Sequence, residues 1–172
     1  MHIKIIEHDP NWANVYLIEK QLLKEILQDD WINSFHIGST SVPGLQAKPI
    51  INILLVVNSI VNLDHYTVEF ESLGYEVMGE FGIKNRRYFR KGGQDRTHHI
   101  HAFQYDNVKE IERHLLFRDY LRLHPDICKS YGILKSDLAK QHPNNIEAYG
   151  NGKNAFVKNI EKKALLWHWN KR

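Results

Sequence analysis

At 172 residues, 42% of them hydrophobic and 25% charged, the chain has the make-up of one ordinary globular domain, without the bias of a disordered or fibrous one. A net charge of +3, with Lys and Glu interspersed, does not by itself point to nucleic acid, and the longest apolar run, residues 50–57, is far short of the roughly 20 residues that a bilayer-spanning helix needs. The lone Cys128 excludes an internal disulfide, and Met1-His2-Ile3-Lys4 leads into an amphipathic stretch rather than a secretory signal, so a cytoplasmic location is expected.

Asp9-Pro10 predicts a helix start, with Asp as cap and Pro at the first helical position, and apolar residues at helical spacing carry that helix to about Asp29. A short strand over residues 31–37 then runs into Gly38-Ser39-Thr40-Ser41-Val42-Pro43-Gly44, a loop by its glycines and hydroxyls. Residues 50–57 are β-branched and apolar and predict a central strand, followed by a helix over 61–73 that ends at Gly74. Three more strands are expected over 75–78, 86–90 and 97–103, with glycines at 79, 82, 92 and 93 in the turns. Helical patterns follow from Val108 to a break at His124-Pro125, then over 127–139 and 146–167. We read residues 1–172 as a single α/β (α+β) domain, a mixed sheet with flanking helices and a C-terminal helical layer.

Three places carry polar chemistry. Gly38, Ser39 and Thr40 offer backbone N–H groups and hydroxyls directly after a strand, which suits a phosphate and equally suits an ordinary turn. Lys48 follows that loop, and Asn52 sits early on an apolar strand, where its amide needs partners, either within the fold or on a ligand. In His98-His99-Ile100-His101 the alternation of a strand puts His99 and His101 on one face. Such a pair can bind a divalent metal, orient a phosphate, act as a general base or simply hydrogen-bond within the fold. Arg87 and Arg118, with Arg113 and Arg122 on the same predicted helix as Arg118, form either a phosphate-binding set or a solvated face, and Lys135, Tyr149 and Lys153 are of the same kind.

These motifs together resemble the GrpB-like family: His36-Ile37-Gly38-Ser39-Thr40-Ser41-Val42-Pro43-Gly44-Leu45 with Lys48-Pro49-Ile50-Ile51, then Arg86-Arg87-Tyr88-Phe89-Arg90-Lys91-Gly92, Arg96-Thr97-His98-His99-Ile100-His101, and the run from Arg113 to Arg122. With Tyr131, Leu134-Lys135 and residues 149–153 the resemblance covers nearly the whole chain. It implies a nucleotidyltransferase-like fold, in which a Gly-Ser loop holds a triphosphate and strand carboxylates hold Mg²⁺ for nucleotidyl transfer. It also implies relatives fused to dephospho-CoA kinase. This chain departs from the pattern, with Asn52 where the family commonly has Asp and Leu54 where the wider superfamily often has a second acid.

The resulting expectation is a protein that binds a nucleotide or phosphorylated small molecule, with Gly38, Ser39, Thr40 and Lys48 at the phosphate and Arg87, Arg118 and Lys135 neutralising it. If it is catalytic, Asn52, His99 and His101 are the expected catalytic and metal-binding residues, with Mg²⁺ or Mn²⁺ as the cofactor and Zn²⁺ as another imidazole-binding ion. The rival expectation is a catalytically silent nucleotide-binding or partner-binding module, favoured by Asn52; metal-dependent hydrolysis through the histidine pair is a third. Nucleic acid stays open as an acceptor, because many proteins of this fold act on RNA, though no strongly basic stripe marks it.

Overall fold

The computed structural model describes residues 2–171, and among them the chain forms an α/β fold around a five-stranded mixed sheet. The first helix, α1, spans Trp12–Leu27, two residues later than its sequence signal. Asp9 caps an earlier turn instead, its Oδ1 accepting from the Asn11 amide and its carbonyl from the Trp12 amide, so Pro10 lies in that turn. Trp12, Tyr16, Leu23 and Leu27 recur on one face of α1 and are buried against the sheet. Gln28, at φ 48°, closes the helix and turns the chain into β1, Trp31–Ile37.

After β1 the loop coils into a single 3-10 turn over Ser39–Ser41, and β2, Ile51–Val57, follows as a central strand. The helix expected over 61–73 divides into a 3-10 segment, Val61–Tyr66, and a short α2, Thr67–Ser72, which Gly74 ends at φ +93°. The strands β3 (Tyr75–Val77), β4 (Arg86–Lys91) and β5 (His98–Gln104) complete the sheet in the order β1-β2-β5-β4-β3. Only the β2–β5 pair is parallel; the other three pairs are antiparallel. The last third is helical: α3 (Val108–Leu123), α4 (Pro125–Gln141) and α5 (Ile146–Asn170). Pro125 starts α4 at its first position, where a missing N–H costs nothing, so the helix begins before residue 127.

Strand alternation assigns the two faces of the sheet. Ile51, Ile53, Leu55 and Val57 of β2, with Phe89, Ile100 and Ala102, pack under α1 and α2. Leu54 and Val56, with Ile37 and Phe103, face the other way, against Ile111 and Leu115 of α3. A third cluster joins α3, α4 and α5 to Val42 and Leu45 of the glycine loop, so the C-terminal helices are held beside the end of β1 and the start of β2. No helix among the described residues is long and apolar enough to cross a membrane.

Candidate functional site

The cleft forms where the glycine loop and the first residues of β2 and β5 meet α4 and α5. It has two adjoining compartments, of about 290 Å³ and about 170 Å³, that share Ser39, Asn52 and Lys153 in their walls. Together they lie in the size range of small-ligand sites, about 300–1,000 Å³. The larger is bordered by Ile37, Phe117, Tyr131 and Val157 with polar groups from Arg113 and His114. The smaller is bordered by Lys48, Lys135 and Lys153 with His99 and Tyr149, and no Asp or Glu lines it.

Gly38 sets the loop's approach to β2. Its φ of +71° favours glycine, and a Cβ there would come within 3.1 Å of the Asn52 Cβ and Nδ2 atoms. Ser39 thereby reaches both compartments, and the buried Tyr131 borders the larger one with it. Thr40 borders the smaller compartment, but its hydroxyl serves the fold. It donates to the Ile50 carbonyl at 3.0 Å and accepts from His36 Nε2 at 2.9 Å. His36 stacks on Tyr16 on the α1 side of the sheet, and burial lowers its pKa to about 4, so it supports the loop from behind.

The lysines are the unusual groups. Lys135 is only 2% exposed, and its Nζ has no hydrogen-bond partner. It lies 4.6 Å from the centroid of the Tyr131 ring, one helical turn earlier on α4. On α5, Lys153 Nζ lies 5.0 Å from the Tyr149 ring, and Lys48 Nζ sits at the same distance from that ring. The Tyr149 hydroxyl is also buried and unpartnered. Burial, together with the charge of Lys153, lowers the Lys135 pKa to about 6; burial and Lys48 bring Lys153 to about 8, and burial lowers Lys48 too. An anion between them would supply the missing partner and restore their protons.

The histidine strand behaves differently from a metal site. His99 and His101 do share the cleft face, but they enter different compartments. Arg86 can only donate, so its NH1 group, 3.3 Å from His101 Nδ1, makes that nitrogen an acceptor. Nε2 must then carry the proton and donate to Asn52 Oδ1 at 3.2 Å. Burial, with His114 and Arg86 close by, holds His101 well below the ordinary histidine pKa, so the neutral tautomer is the stable one. Neither nitrogen of His101 keeps a free lone pair, and Asn52 turns Nδ2 rather than Oδ1 toward Gly38. A Mg²⁺ or Mn²⁺ ion does not fit Asn52 and His101: both are neutral and already hydrogen-bonded, and Lys153 shares their wall. Among the described residues no group of three or more His, Cys, Asp or Glu comes together to hold a metal.

The fold therefore gathers Gly38, Ser39, Lys48, Asn52, His99, His101 and Lys135 around one cleft. It does not gather Arg87 or Arg118. Arg87 pairs with Ala102 across the sheet, points to the α2 side and binds Asp64 at 2.8 Å. Arg118 bonds Asp119 and the His36 carbonyl, and Arg122 the Ser41 carbonyl, so both brace the loop backbone rather than line the cleft. Arg113 reaches the larger compartment, already paired with Glu110 and Glu161. Lys153, Tyr149 and Tyr131 take a larger place than their sequence positions suggest. Tyr131-x-x-x-Lys135 and Tyr149-x-x-x-Lys153 repeat one pattern on successive helices, with ring and ammonium on one face.

Comparison with known proteins bears on the whole chain. A family model described as "GrpB protein" matches residues 2–163. The chain is 46% identical over 165 residues to UPF0157 protein YqkA of Bacillus subtilis (strain 168), covering 96% of this chain and 48% of that protein, so it spans about half the relative's length. It is 33% identical over 161 residues to the glutamate-rich protein GrpB of Alkalihalophilus pseudofirmus, covering 91% and 92% of the two chains. The crystal structure of conserved protein GrpB from Enterococcus faecalis matches it with a TM-score of 0.94 at 51% identity, covering 96% of this chain and 99% of that one.

Proposed function

The chain belongs to the GrpB family, and from that membership we propose that it is a nucleotidyltransferase-like protein whose lysine-lined cleft binds a nucleotide or another phosphorylated small molecule. Ser39, Lys48, Lys135, Lys153 and the Asn52 amide hold the phosphate, while the apolar walls of the larger compartment, Ile37, Phe117 and Tyr131, take the rest of the ligand. One observation carries this reading: Lys135 is almost fully buried, yet its Nζ has no partner on the wall of a cavity free of carboxylates. Burial without a partner disfavours the ammonium form of Lys135, and a ligand anion makes that form favourable again.

Two uses of such a cleft differ in the step after binding. Nucleotidyl transfer needs the phosphates activated, whereas a silent binding module needs only to hold them. Asn52 in its hydrogen bond with His101, and the fully buried Leu54 two residues on, favour the binding module. Thermal unfolding with ATP, CTP, GTP, UTP and phosphorylated CoA precursors tests the shared claim, because a ligand that binds only the folded state stabilises it by about 2.7 kcal/mol at a hundred times its Kd. At least one of these ligands is expected to raise the midpoint of the wild type and to lose that effect in Lys135→Met. If none does, the reading fails.

A further inference from the structure

We propose that the cleft takes its phosphate ligand free of divalent metal, with the ammonium groups of Lys48, Lys135 and Lys153 standing where this class of fold otherwise uses a carboxylate-bound cation. The inference rests on the phosphate-binding reading and narrows it to one chemical form of the ligand. Three observations support it.

The first is the direction of the hydrogen bonds on β2. Arg86 NH1 donates to His101 Nδ1, which leaves Nε2–H to donate to Asn52 Oδ1. That order fixes the amide, so its oxygen is taken up within the sheet and its N–H₂ end lies against Gly38 at the wall common to both compartments. N–H donors suit phosphate oxygens and repel a cation. The second is the charge of the smaller compartment, where three lysines enter from the loop before β2, from α4 and from α5, and no Asp or Glu joins them. The third is Leu54, on the same face of β2 as Asn52 and fully buried, so no second ligand to a metal is available there. Lysines whose protonation is already disfavoured by burial, and further by one another's charge, would be opposed again by a divalent ion, whereas a bare polyphosphate relieves them.

The consequence is that Mg²⁺ competes with the protein for the ligand. Equilibrium dialysis of wild-type protein against radiolabelled ATP, and in parallel against AMP, is run once in EDTA and once in Mg²⁺. Magnesium is set to leave about a tenth of the ATP metal-free, so the apparent Kd for ATP is expected to rise about tenfold. AMP, which holds Mg²⁺ far more weakly, is expected to bind alike in both. ATP binding that is unchanged or tighter in Mg²⁺ overturns the metal-free inference and leaves phosphate binding standing. Equal weakening of AMP and ATP overturns it as well, since the metal would then be acting on the protein. Binding of neither nucleotide in either buffer overturns the inference, while the phosphate reading itself stands or falls with the thermal shifts produced by the other nucleotides and the CoA precursors.

Discussion

Lys135 concentrates the physical oddity of the molecule, because a charged side chain is almost never fully buried without a partner. Its pKa of about 6, with Lys153 at about 8 and Lys48 also lowered, contrasts with about 10.4 for lysine in an unfolded chain. Between those values the unfolded state binds more protons, so the free protein is expected to gain stability as pH rises from 7 to 9, and to lose it as pH falls. The groups that face Lys135 are Lys48, Lys153, Cys128, Tyr131 and Tyr149. His36, His99 and His114, all brought to about 4 chiefly by burial, destabilise the protein toward acid and are silent above pH 7.5. One such lysine contributes at most about 1.4 kcal/mol per pH unit. Urea unfolding across this range is expected to show that rise in the wild type and a flatter profile in Lys135→Met. A level wild-type profile would show that the lysines are not desolvated as described. Asn52 and the histidines stand out in the sequence as polar residues on strands, whereas Lys135 is marked there only as one basic residue among several. The roles of Arg87 and Thr40 are not legible in it, because strand parity and a hydroxyl's partners are settled only by tertiary packing.

Strands and helices are legible wherever the apolar pattern is strong, as in β2, and less so at their ends. Helix starts are displaced by local hydrogen bonds, as at Asp9, and the segment after Val61 tightens into a 3-10 turn before α2. The turn between β4 and β5 depends on one glycine. At φ +109° Gly92 is in a conformation that side chains rarely adopt, and a Cβ there would lie 2.3 Å from the Asp95 carbonyl oxygen. Gly92→Ala is expected to destabilise the fold by about 2 kcal/mol or more, from backbone strain plus a clash that no side-chain rotation relieves. Gly79→Ala, with open space around its Cβ, carries the positive-φ strain alone and serves as the comparison in chemical denaturation. Equal losses would contradict the clash. The Tyr-x-x-x-Lys repeat on α4 and α5 is also present in the sequence, but its meaning requires the two helices to be seen converging on one cavity.

The two faces of the sheet divide the work of the molecule. On the α1 side Glu19, nearly fully buried, accepts from the Tyr75 hydroxyl at 2.6 Å and from Lys91 Nζ at 2.7 Å, and ties α1 to the far strands. That buried anion has its cation. On the other side Lys135 has no counterion, and the asymmetry is what distinguishes a structural ion pair from a binding site. The α/β class and the mixed sheet can be argued from the order of apolar patterns, whereas the cleft depends on how the C-terminal helices seat against the ends of β1 and β2. The most direct measurement is a crystal structure of the protein grown with ATP in EDTA. A phosphate group is expected among Lys48, Lys135 and Lys153, with an oxygen about 2.8 Å from Lys135 Nζ. ATP bound elsewhere, with Lys135 still unpartnered, would contradict the assignment of this cleft.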